Sequence, residues 1–362
     1  MVNLDVVHTE VADLVKRQPL VAVFFGGTTG IGHYTLRALA TAEAQYKGKG
    51  FRAYLVGRKP TRGEEIITEC RQIYPEARIT FLQVDDLSLL RDVDRACANI
   101  IQLEEEERDN PRVDFLMTSQ GGPIFLPRRD TPEGLDKSMS LMYYSRMRAI
   151  FNLQPLLAQS PKPATVISVY AGGFEQKLFT DELSLRDLKR YSYSQARSHM
   201  VYMHTLFFEH LASQPEPAGK VSLVHIFPGL VLGPGFHDTE YPAWFRFIWR
   251  WMFIPVFGRL LTIEPAVSGM RMLGLASPRY PPMRSKNNEV VSSSRAGGEE
   301  ADVVKATNGL VGGGCYALTW NGEDNFKAKN YAKFDKDVLR QQVVSHTLKA
   351  FDVIEAGGVF RE

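Results

Sequence analysis

Short apolar runs alternate with longer amphipathic segments through most of the chain. An unbroken apolar run of about five residues is too short for a helix and is typical of a strand buried on both faces of a parallel sheet. Such runs predict strands at residues 21–25, 51–56, 79–84, 113–117, 164–169, 221–227 and 314–320. Helical periodicity predicts helices at residues 4–17, 33–46, 63–74, 89–106, 132–157, 191–210, 263–275 and 337–354. This alternation predicts an α/β fold with a doubly wound parallel sheet.

A glycine-rich turn joins the first strand to the helix that follows it. Gly26, Gly30 and Gly32 have the spacing G-x-x-x-G-x-G, which permits a tight turn and lets a phosphate group approach main-chain N–H groups. Thr28 and Thr29 add hydroxyl donors, and the positive end of the helix favours an anion. The turn predicts a dinucleotide site, and an ordinary strand–helix corner is the alternative interpretation.

Charged residues follow the second and third strands. Arg58 and Lys59 come directly after the second strand, where an acidic residue suits a ribose hydroxyl and an arginine suits a 2′-phosphate. The arginine favours NADP(H) over NAD(H), and a solvent-exposed basic loop is the alternative. Asp86 follows the third strand, where it can accept a hydrogen bond from an adenine amino group, cap the next helix, or do both.

Length and composition restrict the class of protein. With 362 residues, 44% hydrophobic and 23% charged, the chain is long enough for one large core and is typical of a soluble globular protein. A net charge of only +2 without a basic block makes nucleic acid an unexpected partner. Three scattered cysteines, with the early acidic residues Asp5, Glu10 and Asp13, predict a cytoplasmic protein. The histidines lack companion carboxylates at ligand spacing, so we expect no metal site.

Five motifs together resemble the short-chain dehydrogenase/reductase family over residues 20 to about 280. They are the turn at 25–32, Asp86-Leu87, the segment 118–121 after the fourth strand, the segment 191–195, and 227–231 after the sixth strand. The resemblance implies a Rossmann-type fold. The cofactor-binding positions expected from the motifs and from the basic loop are Gly26, Thr28, Thr29, Gly30, Ile31, Gly32, Arg58, Lys59, Asp86, Leu87, Ser119, Gln120, Gly121, Tyr191, Gln195, Pro228, Gly229 and Val231.

The departures from the family pattern fall on the catalytic positions. In the family a tyrosine protonates the substrate carbonyl oxygen, a lysine four residues later lowers the tyrosine pKa, and a serine orients the carbonyl. Tyr191 matches the tyrosine, but Gln195 stands in the lysine position and supplies no positive charge. Either Ser168 or Tyr170 provides the orienting hydroxyl. Carbonyl reduction needs a neutral phenol as acid, so this pattern favours reduction over alcohol oxidation.

A second register of the same motif restores a cation. Tyr193 and Arg197 are also four residues apart on one helical face. The helix asparagine of the family aligns with Met142, which cannot donate a hydrogen bond, and Tyr143 or Tyr144 could substitute for it. The spacing to the sixth strand favours Tyr191, so the shifted register is the alternative.

Residues 241–255 are dense in aromatic side chains and contain two arginines. The segment is too short and too charged to span a bilayer. Its position favours an apolar lid over a hydrophobic substrate, with peripheral membrane contact or a core helix as alternatives. We expect residues 1–362 to form one domain, with a core at about 20–280, a lid at about 235–262 and a C-terminal extension at about 280–362.

These observations favour an NADP(H)-dependent reductase of a carbonyl, or less readily of an activated double bond, in a bulky apolar small molecule such as a secondary metabolite. The alternative is a redox-neutral cyclase or isomerase on the same fold, or a non-catalytic NADP(H)-binding protein. The missing lysine supports that alternative. Homo-oligomerisation stays open, and fold alone does not identify the substrate.

Overall fold

The computed structural model describes residues 2–107, 110–122, 125–214, 219–232, 247–254, 258, 262–283 and 302–362. Within this part of the chain the strands are β1 Leu20–Phe25, β2 Phe51–Gly57, β3 Arg78–Gln83, β4 Phe115–Thr118, β5 Ala164–Val169, β6 Val221–Phe227, β7 Leu230–Val231, β8 Thr262–Ile263 and β9 Cys315–Thr319. Seven of these described strands form one parallel sheet in the order β3-β2-β1-β4-β5-β6-β9, and β7 pairs with β8. The predicted doubly wound sheet is confirmed.

Helices connect the strands and cover both faces of the sheet. Their bounds are α1 Leu4–Arg17, α2 Gly30–Tyr46, α3 Pro60–Ile73, α4 Leu90–Glu106, α5 Lys137–Met139, α6 Ser145–Ala158, α7 Tyr193–Ser213, α8 Pro265–Leu273, α9 Ala328–Tyr331 and α10 Lys336–Glu355. A π-helical turn, Ser140–Tyr144, joins α5 to α6. None of the described helices has the length and apolar character needed to cross a lipid bilayer.

Strand β1 shows why the apolar runs are continuous rather than alternating. Every residue of β1 is buried, and successive side chains point to opposite faces of the sheet. Val21 and Phe25 join a core formed with α4, α6, α7 and α10. Ala22 and Phe24 join a second core formed with α1, α2, α3 and α8. Each face therefore needs its own apolar residues, which gives the unbroken run.

The chain reverses its direction of strand addition between β1 and β4. These strands are neighbours, with Phe25 opposite Thr118, although β2 and β3 lie between them in sequence and extend the sheet on the other side. Ligands of open α/β sheets bind at such a switch point, at the carboxyl ends of the strands. The glycine-rich turn after β1 and the segment after β4 therefore lie side by side.

Helix α7 begins two residues later than the sequence predicts. Ser192 is its N-cap, and the Ser192 hydroxyl accepts a hydrogen bond from the Gln195 N–H. Tyr193 is consequently the first helical residue, and Tyr191 lies in the preceding loop. Because of this shift, Tyr193 lies on the same helix as Arg197, four residues before it, and Tyr191 does not lie on that helix.

The predicted lid lies largely outside the described residues. Its described part, 247–254, is helical and includes a π-helical turn, Trp249–Phe253. Phe247, Ile248, Trp251 and Met252 are exposed there. The predicted C-terminal extension supplies the edge strand β9, which pairs with β6, and helix α10, which packs on α7.

Candidate functional site

The glycine-rich turn is built so that only glycine fits at its first position. Gly26 has a φ of +80°, and a Cβ there would lie 2.4 Å from the main-chain nitrogen of Gln120. Gly30 has a φ of +59° and opens α2 with no atom within 4 Å of its Cβ position. In the described part of the chain, no side chain caps α2 at Thr29 and no acidic residue lies in its first turn. Its first N–H groups are therefore available to an anion.

A cleft of about 150 Å³ opens beside this turn. Its walls come from the turn after β1, the ends of β2 and β4, the loop after β3, and the segment from Leu126 to Met142. The predicted cofactor residues that line it are Gly26, Thr28, Thr29, Arg58, Asp86, Leu87, Ser119, Gln120 and Gly121. Residues from four separate segments of the sequence thus meet at the switch point.

Arg58 carries an uncompensated charge at the rim of the cleft. Its side chain is exposed, and among the described residues no carboxylate pairs with it. The nearby Arg62 is already engaged, because it pairs with Glu65 at 2.6 Å and donates to the Thr28 carbonyl. Lys59 is exposed at the N-cap of α3 and does not line the cleft.

Asp86 does not cap α4, which is one of the two roles that the sequence predicts for it, because Leu89 is the N-cap and the first N–H of the helix donates to Glu133. The Asp86 Oδ1 accepts hydrogen bonds from the N–H of Ser88 at 2.8 Å and from the Ser88 hydroxyl at 2.7 Å. Asp86 therefore holds the turn that precedes α4. Both Asp86 and Leu87 also line the cleft, which keeps contact with a ligand available to them.

Gln120 lines the cleft, and in the described part of the chain its buried acceptor is without a donor. Its side chain is buried, and its Nε2 donates to the Ser145 hydroxyl at 3.2 Å. Its Oε1 has no donor among the described residues, and an unpaired buried acceptor costs about 1–3 kcal/mol. Ser119 instead donates to the carbonyls of Phe25 and Gly26. The orphaned Gln120 oxygen fits a ligand with a hydrogen-bond donor.

Other predicted cofactor residues lie away from the cleft. Gly32 packs α2 against the end of β4, because a Cβ there would lie 2.6 Å from Ser119 Oγ. Gly229, with a φ of +71°, packs against Ile263 and Trp320, and β7 with Val231 pairs with β8. The predicted positions that do not line the cleft are Gly30, Ile31, Gly32, Lys59, Tyr191, Gln195, Pro228, Gly229 and Val231.

Tyr191 and Gln195 have partners unlike those that the family pattern implies. The Tyr191 hydroxyl donates to Asp136 Oδ2 at 3.2 Å. Burial raises the pKa of Tyr191, and the Asp136 charge raises it further. The Gln195 Nε2 donates to the Lys177 carbonyl at 2.7 Å. The geometry therefore leaves Tyr191 as a phenol held neutral and ties Gln195 to a neighbouring loop.

Ser168 lies inside a buried polar chain at the end of β5. It accepts a hydrogen bond from Arg146 Nη1 at 3.1 Å. His204 Nδ1 contacts the Met200 carbonyl at 2.7 Å, so this nitrogen carries the proton and the His204 Nε2 accepts from Ser168 at 3.1 Å. Burial lowers the pKa of His204 far below its ordinary value. Ser168 is thus fully engaged by protein groups.

Tyr170 lies beside the pair of residues named by the alternative register. The neighbours that act on its phenol are Tyr193, Arg146 and Arg197. Its ring stacks with those of His204 and His225, with centroids 5.7 and 6.3 Å apart. Burial and the neighbouring Tyr193 raise the pKa of Tyr170 well above its ordinary value, and the two guanidinium groups oppose this rise. The positive charge missing at residue 195 is present around this second phenol pair.

Sequence reasoning did not single out Arg146 as a functional residue. Arg146 follows Met142 by about one helical turn, directly after the π-helical turn Ser140–Tyr144. Such turns are frequent at functional sites, and Leu141 and Met142 line the cleft. The feature of the sequence that could have marked Arg146 is its position in a largely apolar helix that packs on the sheet.

Comparison with known proteins identifies the family. The chain is 36% identical over 359 residues to the short-chain dehydrogenase/reductase SAT2 of Stachybotrys chartarum, covering 98% of each chain. It is 35% identical over 353 residues to oxidoreductase AN1596 of Emericella nidulans, covering 97% of this chain and 98% of that relative. A solved structure, L-sorbose reductase from Gluconobacter frateurii complexed with NADPH and L-sorbose, matches with a TM-score of 0.53 at 18% identity, over 73% of this chain and 91% of that one. No family model matches the chain.

The fold and the named relatives define an oxidoreductase with a Rossmann-type sheet. The chain belongs to the short-chain dehydrogenase/reductase family, because its identity to SAT2 extends over nearly the whole length of both proteins. The family predicted from the sequence motifs is therefore confirmed.

Proposed function

We propose that the protein is an NADP(H)-dependent reductase acting on a carbonyl group of a bulky, apolar small molecule. One observation carries the proposal: a cleft at the switch point combines the glycine-rich turn, the unpaired Arg58 and the orphaned Gln120 oxygen. The glycine-rich turn and the arginine match the phosphate groups of a phosphorylated dinucleotide, and the Gln120 oxygen matches one of its hydrogen-bond donors.

The residues that line the cleft are chemically suited to such a cofactor. The first turn of α2 and the threonine hydroxyls at 28 and 29 would hold the diphosphate, and Arg58 would hold the 2′-phosphate. Asp86 and Leu87 would border the adenine, and Gln120 Oε1 would accept a hydrogen bond from the cofactor. When bound, NADPH supplies a hydride to the carbonyl carbon.

Tyr193 is the acid best suited to protonate the substrate oxygen. It shares a helical face with Arg197, four residues later on α7, and it lies next to Tyr170. A cation near a phenol favours loss of its proton. Tyr191 is less suited, because its hydroxyl donates to Asp136 and its pKa is raised.

An apolar substrate is supported by the apolar part of the cleft wall and by an exposed aromatic segment. Leu126, Pro127, Leu141 and Met142 form part of the wall. The described part of the aromatic segment exposes Phe247 and Trp251, each 62% accessible. Large exposed apolar side chains mark binding surfaces, so this segment is proposed to cover the substrate.

Cofactor selectivity tests the proposal directly. In calorimetric titrations of the purified protein we expect NADPH to bind more tightly than NADH, because only NADPH has a 2′-phosphate for Arg58 to bind. Arg58→Asp should weaken NADPH binding by roughly tenfold to a hundredfold, since a charge-assisted contact contributes about 1.5–3 kcal/mol. NADH affinity is the internal comparison and should hold or improve, because an acidic residue at this position suits the ribose hydroxyl of NADH. Equal affinities for both cofactors in the unaltered protein would contradict the assignment.

Turnover separates reduction from redox-neutral chemistry. A panel of apolar ketones and aldehydes is incubated with protein and NADPH, and NADPH loss and alcohol formation are measured together. Equal amounts of both are expected from a reductase. Product formed without NADPH loss would favour the redox-neutral alternative.

A further inference from the structure

Arg146 joins the carboxyl ends of two central strands. It lies on α6, is only 1% exposed, and donates to the Gln120 carbonyl after β4. On the β5 side it donates to Ser168 Oγ at 3.1 Å and to the Val169 carbonyl at 2.7 Å. Its Nε has no partner among the described residues. The guanidinium is therefore fixed between the cleft wall and the Ser168 chain.

Arg146 is a buried cation without a buried anion. In the described part of the chain no carboxylate pairs with it. Arg148, two residues later on the same helix, pairs with Asp94 at 2.6 Å and Glu355 at 2.8 Å. A lone buried charge is costly unless something compensates for it. In the resting protein Arg146 is compensated by two carbonyls and one hydroxyl, so its positive charge can still stabilise an anion that forms nearby.

The titratable groups facing Arg146 identify where that anion can form. They come from the end of β5, β6 and α7: Tyr170, Tyr193, His204 and His225 face Arg146, and Arg197 faces Tyr170. Both histidines are neutral, because burial lowers their pKa values and Arg146 lowers them further. Arg146 lies 5.7 Å from the centroid of the Tyr170 ring. The Tyr170–Tyr193 pair is thus the neighbour able to carry the anion.

We propose that Arg146 is a positioning residue whose charge stabilises the phenolate left on the Tyr170–Tyr193 pair after Tyr193 protonates the substrate. The inference rests on the proposed reductase function and deepens it. In this step the phenolic O–H bond breaks, a new O–H bond forms on the substrate oxygen, and the phenolate regains a proton from solvent. Arg146 touches neither substrate nor the transferred proton and acts through the phenol pair.

Two substitutions separate the positive charge of Arg146 from the hydrogen bonds by which it joins the ends of β4 and β5. Arg146→Lys keeps a positive charge but loses the planar fork, and Arg146→Gln loses both. Removal of the charge should raise the phenol pKa, so the pH at which kcat declines should rise. We expect a shift of about one to two pH units, given the distance from Arg146 to the ring and an effective dielectric constant of about 20. The decline should therefore move to higher pH in Arg146→Gln and stay at the same pH in Arg146→Lys. Arg146→Met replaces the glutamine variant if that variant does not fold.

Arg148→Gln is the matched control. It breaks the paired arginine on the same helix, so we expect lower thermal stability with no change in the pH at which kcat declines. If kcat declines at the same pH in Arg146→Lys and Arg146→Gln, the inference is overturned. The hydrogen bonds of Arg146, rather than its charge, would then account for its role.

A second readout does not depend on turnover. Alkaline absorbance titration follows tyrosine ionisation in the resting protein, and Arg146→Gln should make ionisation of the phenol pair harder. That difference should vanish when Tyr170 and Tyr193 are both phenylalanine. If it persists there, the inference is wrong even when the protein is a reductase. If the difference behaves as expected but no carbonyl is reduced, the proposed function fails while the charge coupling stands.

Discussion

The phenols of Tyr191, Tyr170 and Tyr193 differ in the charged groups nearest to them. Tyr191 donates to the carboxylate of Asp136, whereas Tyr170 and Tyr193 lie near two guanidinium groups. A carboxylate opposes phenolate formation and a cation favours it. At the scale of single residues, electrostatics therefore separates side chains that sequence spacing alone leaves equivalent.

Paired substitutions test this distinction. Tyr193→Phe should lower kcat by about 10²–10⁴-fold, the usual effect of removing a positioned general acid. Tyr191→Phe should stay within about tenfold of the unaltered enzyme, because Asp136 keeps hydrogen bonds from the Arg129 and Met139 N–H groups. Steady-state kinetics at saturating NADPH measures both. If kcat falls strongly in Tyr191→Phe and is unchanged in Tyr193→Phe, Tyr191 is the general acid, as the first alignment of the motif predicts.

At the scale of elements, the β1–α2 turn depends on the neighbouring strand β4. Gly26 is left-handed, and its Cβ position is filled by the main chain of Ser119 and Gln120. A main chain inside a parallel sheet cannot move aside as a flexible side chain can. The turn is therefore fixed both by its own glycine and by the segment after β4.

Gly26→Ala should destabilise the fold and abolish cofactor binding together. Left-handed strain alone costs about 1–3 kcal/mol in the free energy of unfolding, and the clash with Gln120 adds to it. Gly121→Ala is the control, because a Cβ there meets no atom within 4 Å. It should change the unfolding free energy by less than about 0.5 kcal/mol and weaken NADPH binding by filling the cleft. Denaturant unfolding and calorimetry distinguish these outcomes, and unchanged stability in Gly26→Ala would contradict the geometry.

At the scale of the whole molecule, histidines are buried both in the sheet, at His225 of β6, and in the helices that cover it, at His199 of α7 and His346 of α10. Burial lowers the pKa of His225 to about 3 and those of His199 and His346 to about 4. The unfolded chain protonates these side chains near pH 6.5. Each therefore contributes stability that is present above about pH 6.5 and is lost as the pH falls toward the folded-state pKa.

His199→Gln isolates one such contribution. Glutamine can replace the two hydrogen bonds of His199, one from the Phe179 N–H and one to the Leu183 carbonyl, without taking up a proton. Between about pH 6 and pH 4 the unfolding free energy should fall less steeply in the variant, by about 1.4 kcal/mol per pH unit. Buried carboxyl groups such as Glu175, whose pKa is raised by burial, act with the opposite sign in both proteins. Urea unfolding curves with equal pH slopes would exclude the effect.

The sequence by itself determined the layered fold, and it predicted nine residues that the structure brings together at one cleft. Apolar runs of strand length, separated by amphipathic segments, require a sheet buried on both faces. The glycine spacing after β1 is local, because backbone sterics restrict what can follow that strand. Arg58 and Asp86 could be found for the same reason, since each stands directly after a strand.

Only the tertiary structure decided which phenol lies beside Arg146 and Arg197. Ser192 and Ser194 are both suitable N-caps for α7, and the structure uses Ser192, which brings Tyr193 rather than Tyr191 onto the helix. Arg146 meets Ser168 and Gln120 across 22 and 26 residues of sequence, and His225 comes from a later strand still. Local propensity carries no information about such contacts, because they depend on how helices pack against the ends of the sheet.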